Sequence, residues 1–97
     1  MTFNPELEAV TAGLGTGVGA TGHICGCCSA MAILTSLQAY QGPAGKQALY
    51  AEVRERIERF AALNEGDTDC RDLRRPGRKP CADLIKDAIT ILHEAHL

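Results

Sequence analysis

Half of the ten positions from Gly13 to Gly22 are glycine (13, 15, 17, 19 and 22), so no rigid helix can run through this segment. It reads as a loop in which backbone can approach backbone, or a ligand, closely. The loop opens onto His23-Ile24-Cys25-Gly26-Cys27-Cys28-Ser29, which holds three of the five cysteines. The other two, Cys70 and Cys81, flank a basic stretch near the start of the last helical segment. Thiols between flexible backbone and a helix start are placed where thiolates are stabilised, metals bind and disulfides exchange.

The remainder reads as helix. Asn4, Pro5, Glu6 and Glu8 form a start signal: a capping side chain, Pro at the first helical position, acids in the first turn. That short helix ends by Gly13. From about Cys27 to Gln41 the chain is rich in Ala, Met, Ile and Leu, with Ala30, Met31, Leu34, Leu37 and Tyr40 at helical spacing. Apolar nearly all round, it is expected to be a central, buried helix broken by Gly42-Pro43. A third helix starts near Pro43 or Gly45 and runs to about Asn64, with Leu49, Val53, Ile57, Phe60 and Ala61 on one stripe. Glu52, Arg54, Glu55, Arg56, Glu58 and Arg59 form its wet side, where Glu52–Arg56 and Glu55–Arg59 can pair. Gly66 stops it, residues 66–80 form a polar loop, and Pro80 opens a fourth helix with the stripe Cys81, Leu84, Ile85, Ala88, Ile91 and Leu92. No period-two strand pattern and no internal repeat occurs. The expected fold is all-α: one domain over residues 1–97, a small bundle of about four helices with the Gly-rich loop before the central one.

Aromatic residues supply only 4% of the chain and Trp is absent, so Ala, Leu and Ile must fill a small core. A 97-residue core of this kind has a modest margin, and help from a second chain, a metal or a covalent link is expected. The net charge of −2 gives no global argument for nucleic acid. The longest apolar run, Met31 to Leu37, is interrupted by Thr35 and Ser36, and no leader sequence is visible. A cytoplasmic protein without membrane insertion is the expectation. In a reducing compartment five cysteines speak for catalytic, redox or metal-ligand roles over a static disulfide framework.

Cys25 and Cys28 are spaced Cys-x-x-Cys at a helix entrance, where residues three apart share a face and the helix dipole favours a thiolate. Cys81 follows Pro80 at another helix start, and Cys70 has Arg71, Arg74 and Arg75 close in sequence. Cys25, Cys28, Cys70 and Cys81 are therefore the candidate catalytic, cofactor-binding and metal-ligating residues. Cys27, beside Ala30 and Met31, reads as core filler. Four thiolates could hold zinc, but Cys70 and Cys81 are ten residues between them and fit a zinc knuckle poorly; an iron–sulfur cluster tolerates such spacing better. His23 is a candidate ligand or base, with an exposed loop histidine as the plainer reading; His93 and His96 read as solvated. Gly15-Thr16-Gly17-Val18-Gly19-Ala20 has the form of a dinucleotide fingerprint but lacks the strand–helix context that gives it meaning. The basic loop 71–79 reads as a solvated turn.

With these residues in view, the chain resembles the redox-active family named for its motif, C_GCAxxG_C_C. The resemblance covers roughly residues 9 to 95. It rests on the lead-in Ala12-Gly13-Leu14-Gly15-Thr16-Gly17-Val18-Gly19, on Gly22-His23-Ile24-Cys25-Gly26, on Asp69-Cys70-Arg71-Asp72-Leu73 and on Cys81-Ala82-Asp83-Leu84-Ile85. It implies a small helical protein with redox-active or metal-binding cysteines, in which an iron–sulfur centre is plausible, and it carries the functional positions to Cys25, Cys70 and Cys81. Family members generally have an earlier cysteine on a further N-terminal helix, which this sequence is expected to lack. Cys27 replaces the motif's Ala, Ala30 stands where its later Gly is expected, and Cys28 is a candidate replacement for the missing thiol. A thinner core makes a homodimer the expected assembly. The function expected is thiol/disulfide exchange or cluster-based electron transfer with a protein redox partner; the alternative is a non-catalytic zinc or soft-metal module.

Overall fold

The computed structural model describes residues 5–95. The Asn4 cap and His96 lie outside them. Five α-helices occur among the described residues: α1 (Pro5–Thr11), α2 (Gly26–Ala39), α3 (Lys46–Ala62), α4 (Cys70–Leu73) and α5 (Cys81–Ala95). Four are long enough to match the expected bundle, and α4 is a single turn inside the 66–80 loop. Short 3-10 turns at Ala12–Leu14 and Pro43–Gly45 follow α1 and precede α3. No strand forms among the described residues, and the fold is all-α.

The core is shared by α2, α3 and α5. Met31 from α2, Phe60 from α3 and Leu84, Ala88 and Ile91 from α5 close around Cys25, Cys28 and Leu73. The α2 expectation needs correction, because only Cys28, Met31 and Thr35 of that helix are buried. Leu37 is 65% exposed and Tyr40 is exposed as well, since α3 and α5 cover one side of α2 and leave its far end open. Arg56 corrects the wet-side assignment of α3. Its side chain lies in the α2–α3 contact, where NH1 donates to Thr35 Oγ1 at 2.7 Å, and it keeps the expected Glu52 partner at 3.8 Å. Thr35 in turn donates to the carbonyl of Met31 at 2.6 Å, so the buried guanidinium meets a hydroxyl already fixed in place. Arg59 pairs with Glu94 of α5.

The glycine-rich loop is ordered by a reversal of helical hand. Thr16, Gly17, Val18, Gly19 and Ala20 all have φ between 49° and 73°. The turn is closed by N–H bonds from Val18 to Leu14 O at 3.1 Å, Gly19 to Gly13 O at 2.7 Å and Ala20 to Gly15 O at 3.1 Å. Left-handed winding costs an L-residue roughly 1–2 kcal/mol, and glycine at alternate positions removes part of that cost. At Gly17 a side chain is also sterically barred: a Cβ would stand 2.6 Å from the nitrogen of His23.

The loop 66–79 is tied down by its own cations, unlike the solvated turn expected. Arg78 donates to Asp67 Oδ2 at 2.8 Å, to Asp72 O at 3.1 Å and to Asn64 O at 2.8 Å, which anchors the loop to the end of α3. Arg75 shares Asp67 at 3.1 Å, and Lys79 reaches Asp87 of α5 at 2.6 Å. The Arg78 guanidinium beside it holds the Asp67 carboxyl below the usual carboxylate range.

Candidate functional site

The site begins with backbone pairing between two stretches distant in sequence. The segment leaving the glycine loop runs antiparallel to the segment entering α4, with an isolated bridge between Ile24 and Asp69. Cys25 N–H donates to Thr68 O at 2.8 Å, Cys70 N–H to His23 O at 2.7 Å and Arg71 N–H to Gly22 O at 3.0 Å. This short zipper fixes Cys25 opposite Thr68 and Cys70 opposite His23, on either side of the Ile24–Asp69 bridge. At its end Gly22 has φ +77°, and a Cβ there would meet Arg71 Cβ at 3.1 Å.

Four cysteines line one cavity of about 410 Å³: Cys25 and Cys27 from the entrance of α2, Cys70 from α4 and Cys81 from the start of α5. Most of the rest of the lining is apolar, including Met31, Leu34, Leu84, Ala88 and Leu92. The cavity opens to solvent beside the exposed Ile85, Ile89 and Cys81. Arg74 also lines it. Arg71, Arg75 and Arg78 have side-chain partners nearby, whereas Arg74 has none among the described residues. A guanidinium without a fixed partner is thus available at a mostly apolar, thiol-bearing cavity.

Cys25 is the N-cap of α2, and its sulfur accepts the N–H of Cys27 at 3.4 Å. The residue is 8% exposed and its thiol is drawn down from 9.0 to about 6. The largest cause is a hydrogen bond from the Cys27 side chain; burial opposes it, and the N–H groups of Cys27 and Cys28 add to it. An anionic sulfur is stabilised where a helix leaves its first N–H groups without partners. The same contact works in reverse on Cys27. Bonding to Cys25, burial and the neighbouring charge of Cys25 push the Cys27 thiol far up.

Of the residues singled out by sequence, Cys25, Cys70 and Cys81 share the cavity wall and Cys28 does not. Cys28 is wholly buried in the core, and burial followed by the charges on Cys25 and Asp69 pushes its thiol up to about 12. In its place the wall carries Cys27, which sequence reasoning treated as packing. The Cys-x-Cys spacing with a capping cysteine was the available signal, because the second residue of a helix points its N–H back at the cap. His23 is exposed, and its Nδ1 stands 3.0 Å from Arg71 NH2, away from the cavity wall. His93 is exposed.

Among the described residues, no three His, Cys, Asp or Glu side chains come together in a group that could hold a metal ion. The cysteines line a common space without converging on one point, so the donor set does not fit a single bound metal in this conformation. No helix of the described residues is long and apolar enough to cross a membrane.

No curated protein and no solved structure matches the chain. A family model does, over residues 1–95, with the description "Putative redox-active protein (C_GCAxxG_C_C)". With its thiols gathered at the start of the central helix, the chain belongs to the redox-active cysteine family C_GCAxxG_C_C.

Proposed function

We propose that the protein carries out thiol–disulfide exchange with Cys25 as the attacking sulfur. The single observation that supports this most is the capped Cys25 sulfur, held by Cys27 at the edge of a cavity shared with Cys70 and Cys81. The thiolate attacks a disulfide R–S–S–R′, forms Cys25–S–S–R and releases R′–S⁻. A second thiol of the protein then attacks Cys25 and releases R–S⁻, leaving the protein oxidised by two electrons. The exposed apolar residues Ile85 and Ile89 at the cavity favour a protein partner, either a disulfide-bearing substrate or a second copy of the chain. Five free thiols suit a reducing compartment such as the cytoplasm.

The test is the rate of reaction with dithiobis(nitrobenzoate), followed by thionitrobenzoate release. A fast phase present in wild type and abolished in Cys25→Ser is expected. A fast phase that survives in Cys25→Ser overturns the proposal.

A second reading, a cysteine-ligated iron–sulfur centre or a soft-metal site, draws support from four sulfurs on one wall. Because those sulfurs do not converge on one point, no step is written through such a group. Iron, zinc and acid-labile sulfide analysis of protein purified without air decides it. Metal-free protein that keeps its fold and its fast thiol phase removes this reading.

A further inference from the structure

We propose that Cys27 is the resolving thiol, so that the redox-active pair is the Cys-x-Cys unit Cys25-Gly26-Cys27, with Cys28 a spectator in the core. This rests on the reading of Cys25 as the attacking sulfur and names the partner within the same site.

Three observations carry it. First, Cys27 stands against the Cys25 sulfur, with its N–H donating to Cys25 Sγ at 3.4 Å. Second, Cys25 and Cys27 line the same solvent-connected cavity, so an incoming disulfide can reach the first and the released thiol can leave past the second. Third, Cys28 has no exposed surface and packs with Met31, Phe60, Leu73 and the α5 residues. Turning Cys28 towards a substrate on Cys25 would open the core. Cys70 and Cys81 belong to other helices, whereas Cys27 follows Cys25 in the same helix entrance. Gly26 between them offers no side chain to oppose closure of a small ring.

The order of events follows from the contact between the two residues, in which the Cys27 N–H already reaches Cys25 Sγ. While Cys25 is a thiolate, it holds the Cys27 proton by accepting from that thiol and by its charge. Attack on R–S–S–R′ converts Cys25 to the neutral mixed disulfide and expels R′–S⁻. The acceptor and the charge that held the Cys27 proton are then gone. Cys27 gives that proton to solvent, and its sulfur attacks Cys25 Sγ. The S–R bond breaks, R–S⁻ leaves, and the Cys25–Cys27 disulfide forms. Substrate gains the two electrons that the pair loses. Cys27 thus stays protonated until its turn comes.

Dithiobis(nitrobenzoate) tests this, with limiting reagent, without air and at about pH 9, the ordinary thiol value, where loss of the Cys27 assistance still leaves a large share of Cys25 ionised. Wild type is expected to release thionitrobenzoate in two phases and keep no adduct. Cys27→Ser is expected to keep the first phase, slow the second at least about tenfold, and accumulate a stable adduct on Cys25. Cys28→Ser is expected to behave as wild type. A second phase of wild-type rate in Cys27→Ser, or its loss in Cys28→Ser, overturns the inference. Should Cys27→Ser fail to fold, differential alkylation of oxidised wild type gives the answer: Cys25 and Cys27 protected with Cys28 labelled supports it, and Cys25 protected together with Cys28, Cys70 or Cys81 overturns it. A first phase indifferent to Cys25→Ser is a different result and sinks the attacking-sulfur reading itself.

Discussion

The N–H of Cys25 donates to the carbonyl of Thr68 at 2.8 Å, between residues far apart in the chain. That bond and its neighbours let two cysteine-bearing segments, each too short to be a strand, meet in a fixed register. The thiol site is thereby built on main-chain contacts, and the side chains remain free for chemistry.

The reactivity of Cys25 is expected to follow a low thiol value. In iodoacetamide alkylation the rate at Cys25 rises with an apparent midpoint near pH 6, against 9.0 for the ordinary thiol. At neutral pH such a shift raises the thiolate fraction roughly a hundredfold, and lower intrinsic nucleophilicity takes back part of the gain in rate. Cys27→Ala removes the largest cause and moves the midpoint upward. An unchanged midpoint in that variant contradicts the account.

Stability is expected to carry the same signature. A thiol whose folded value lies below its unfolded value adds stability that is complete above about pH 9 and lost as pH falls through about 6. Urea midpoints of wild type and Cys25→Ala, compared across this window, should therefore diverge as pH rises. Burial of Cys28 acts with the opposite sign, and its contribution fades only above pH 9, between the ordinary thiol value of 9.0 and about 12.

Arg74 is expected to sort disulfides by charge. Arg74→Ala slows the reaction with anionic dithiobis(nitrobenzoate) by about two- to fivefold, while neutral dithiodipyridine is unaffected, and added salt narrows the difference. Equal slowing of both reagents would mean that the substitution disturbs the cavity wall rather than its charge.

The contact between Arg56 and Thr35 predicts a non-additive pair. Thr35→Val removes the hydroxyl that accepts from a buried guanidinium, leaves it only the longer Glu52 contact, and costs about 1–3 kcal/mol. Arg56→Met added to it removes the poorly paired charge and recovers much of that loss. Denaturant midpoints of the two single variants and the double variant measure this, and strict additivity goes against a direct interaction.

Gly17→Ala is expected to be far more harmful than Gly13→Ala. At position 17 the new methyl would overlap backbone atoms of Gly22 and His23, and φ is +73°. At position 13 it meets nothing within 4 Å. Losses of about 2–4 kcal/mol and within about 0.5 kcal/mol follow. Thermal unfolding distinguishes them, and Gly17→Ala should also alter Cys25 alkylation through the zipper that begins at Gly22.

The helices and the family were legible in the sequence because apolar spacing, Pro43, Gly66 and the cysteine motif are local signals. The exposure of Leu37 and Tyr40 was not, since composition says that a helix is apolar but not which side its neighbours cover. Arg56 looked like a member of a charged face, and its burial depends on a threonine 21 residues away. The pairing of 22–25 with 68–71 is written in backbone alone and leaves no side-chain pattern to read. The exchange of Cys28 for Cys27 at the cavity wall turns on one step of helical phase at a capped end, finer than spacing can resolve.

The five-residue reversal at 16–20 has a stereochemical consequence. Its five residues all run at positive φ, so Ala20, at φ 61°, lies on the side of backbone space that its own enantiomer favours. Chemical synthesis with a D-residue there would relax the approach to the thiol site and leave every side-chain identity in the chain unchanged.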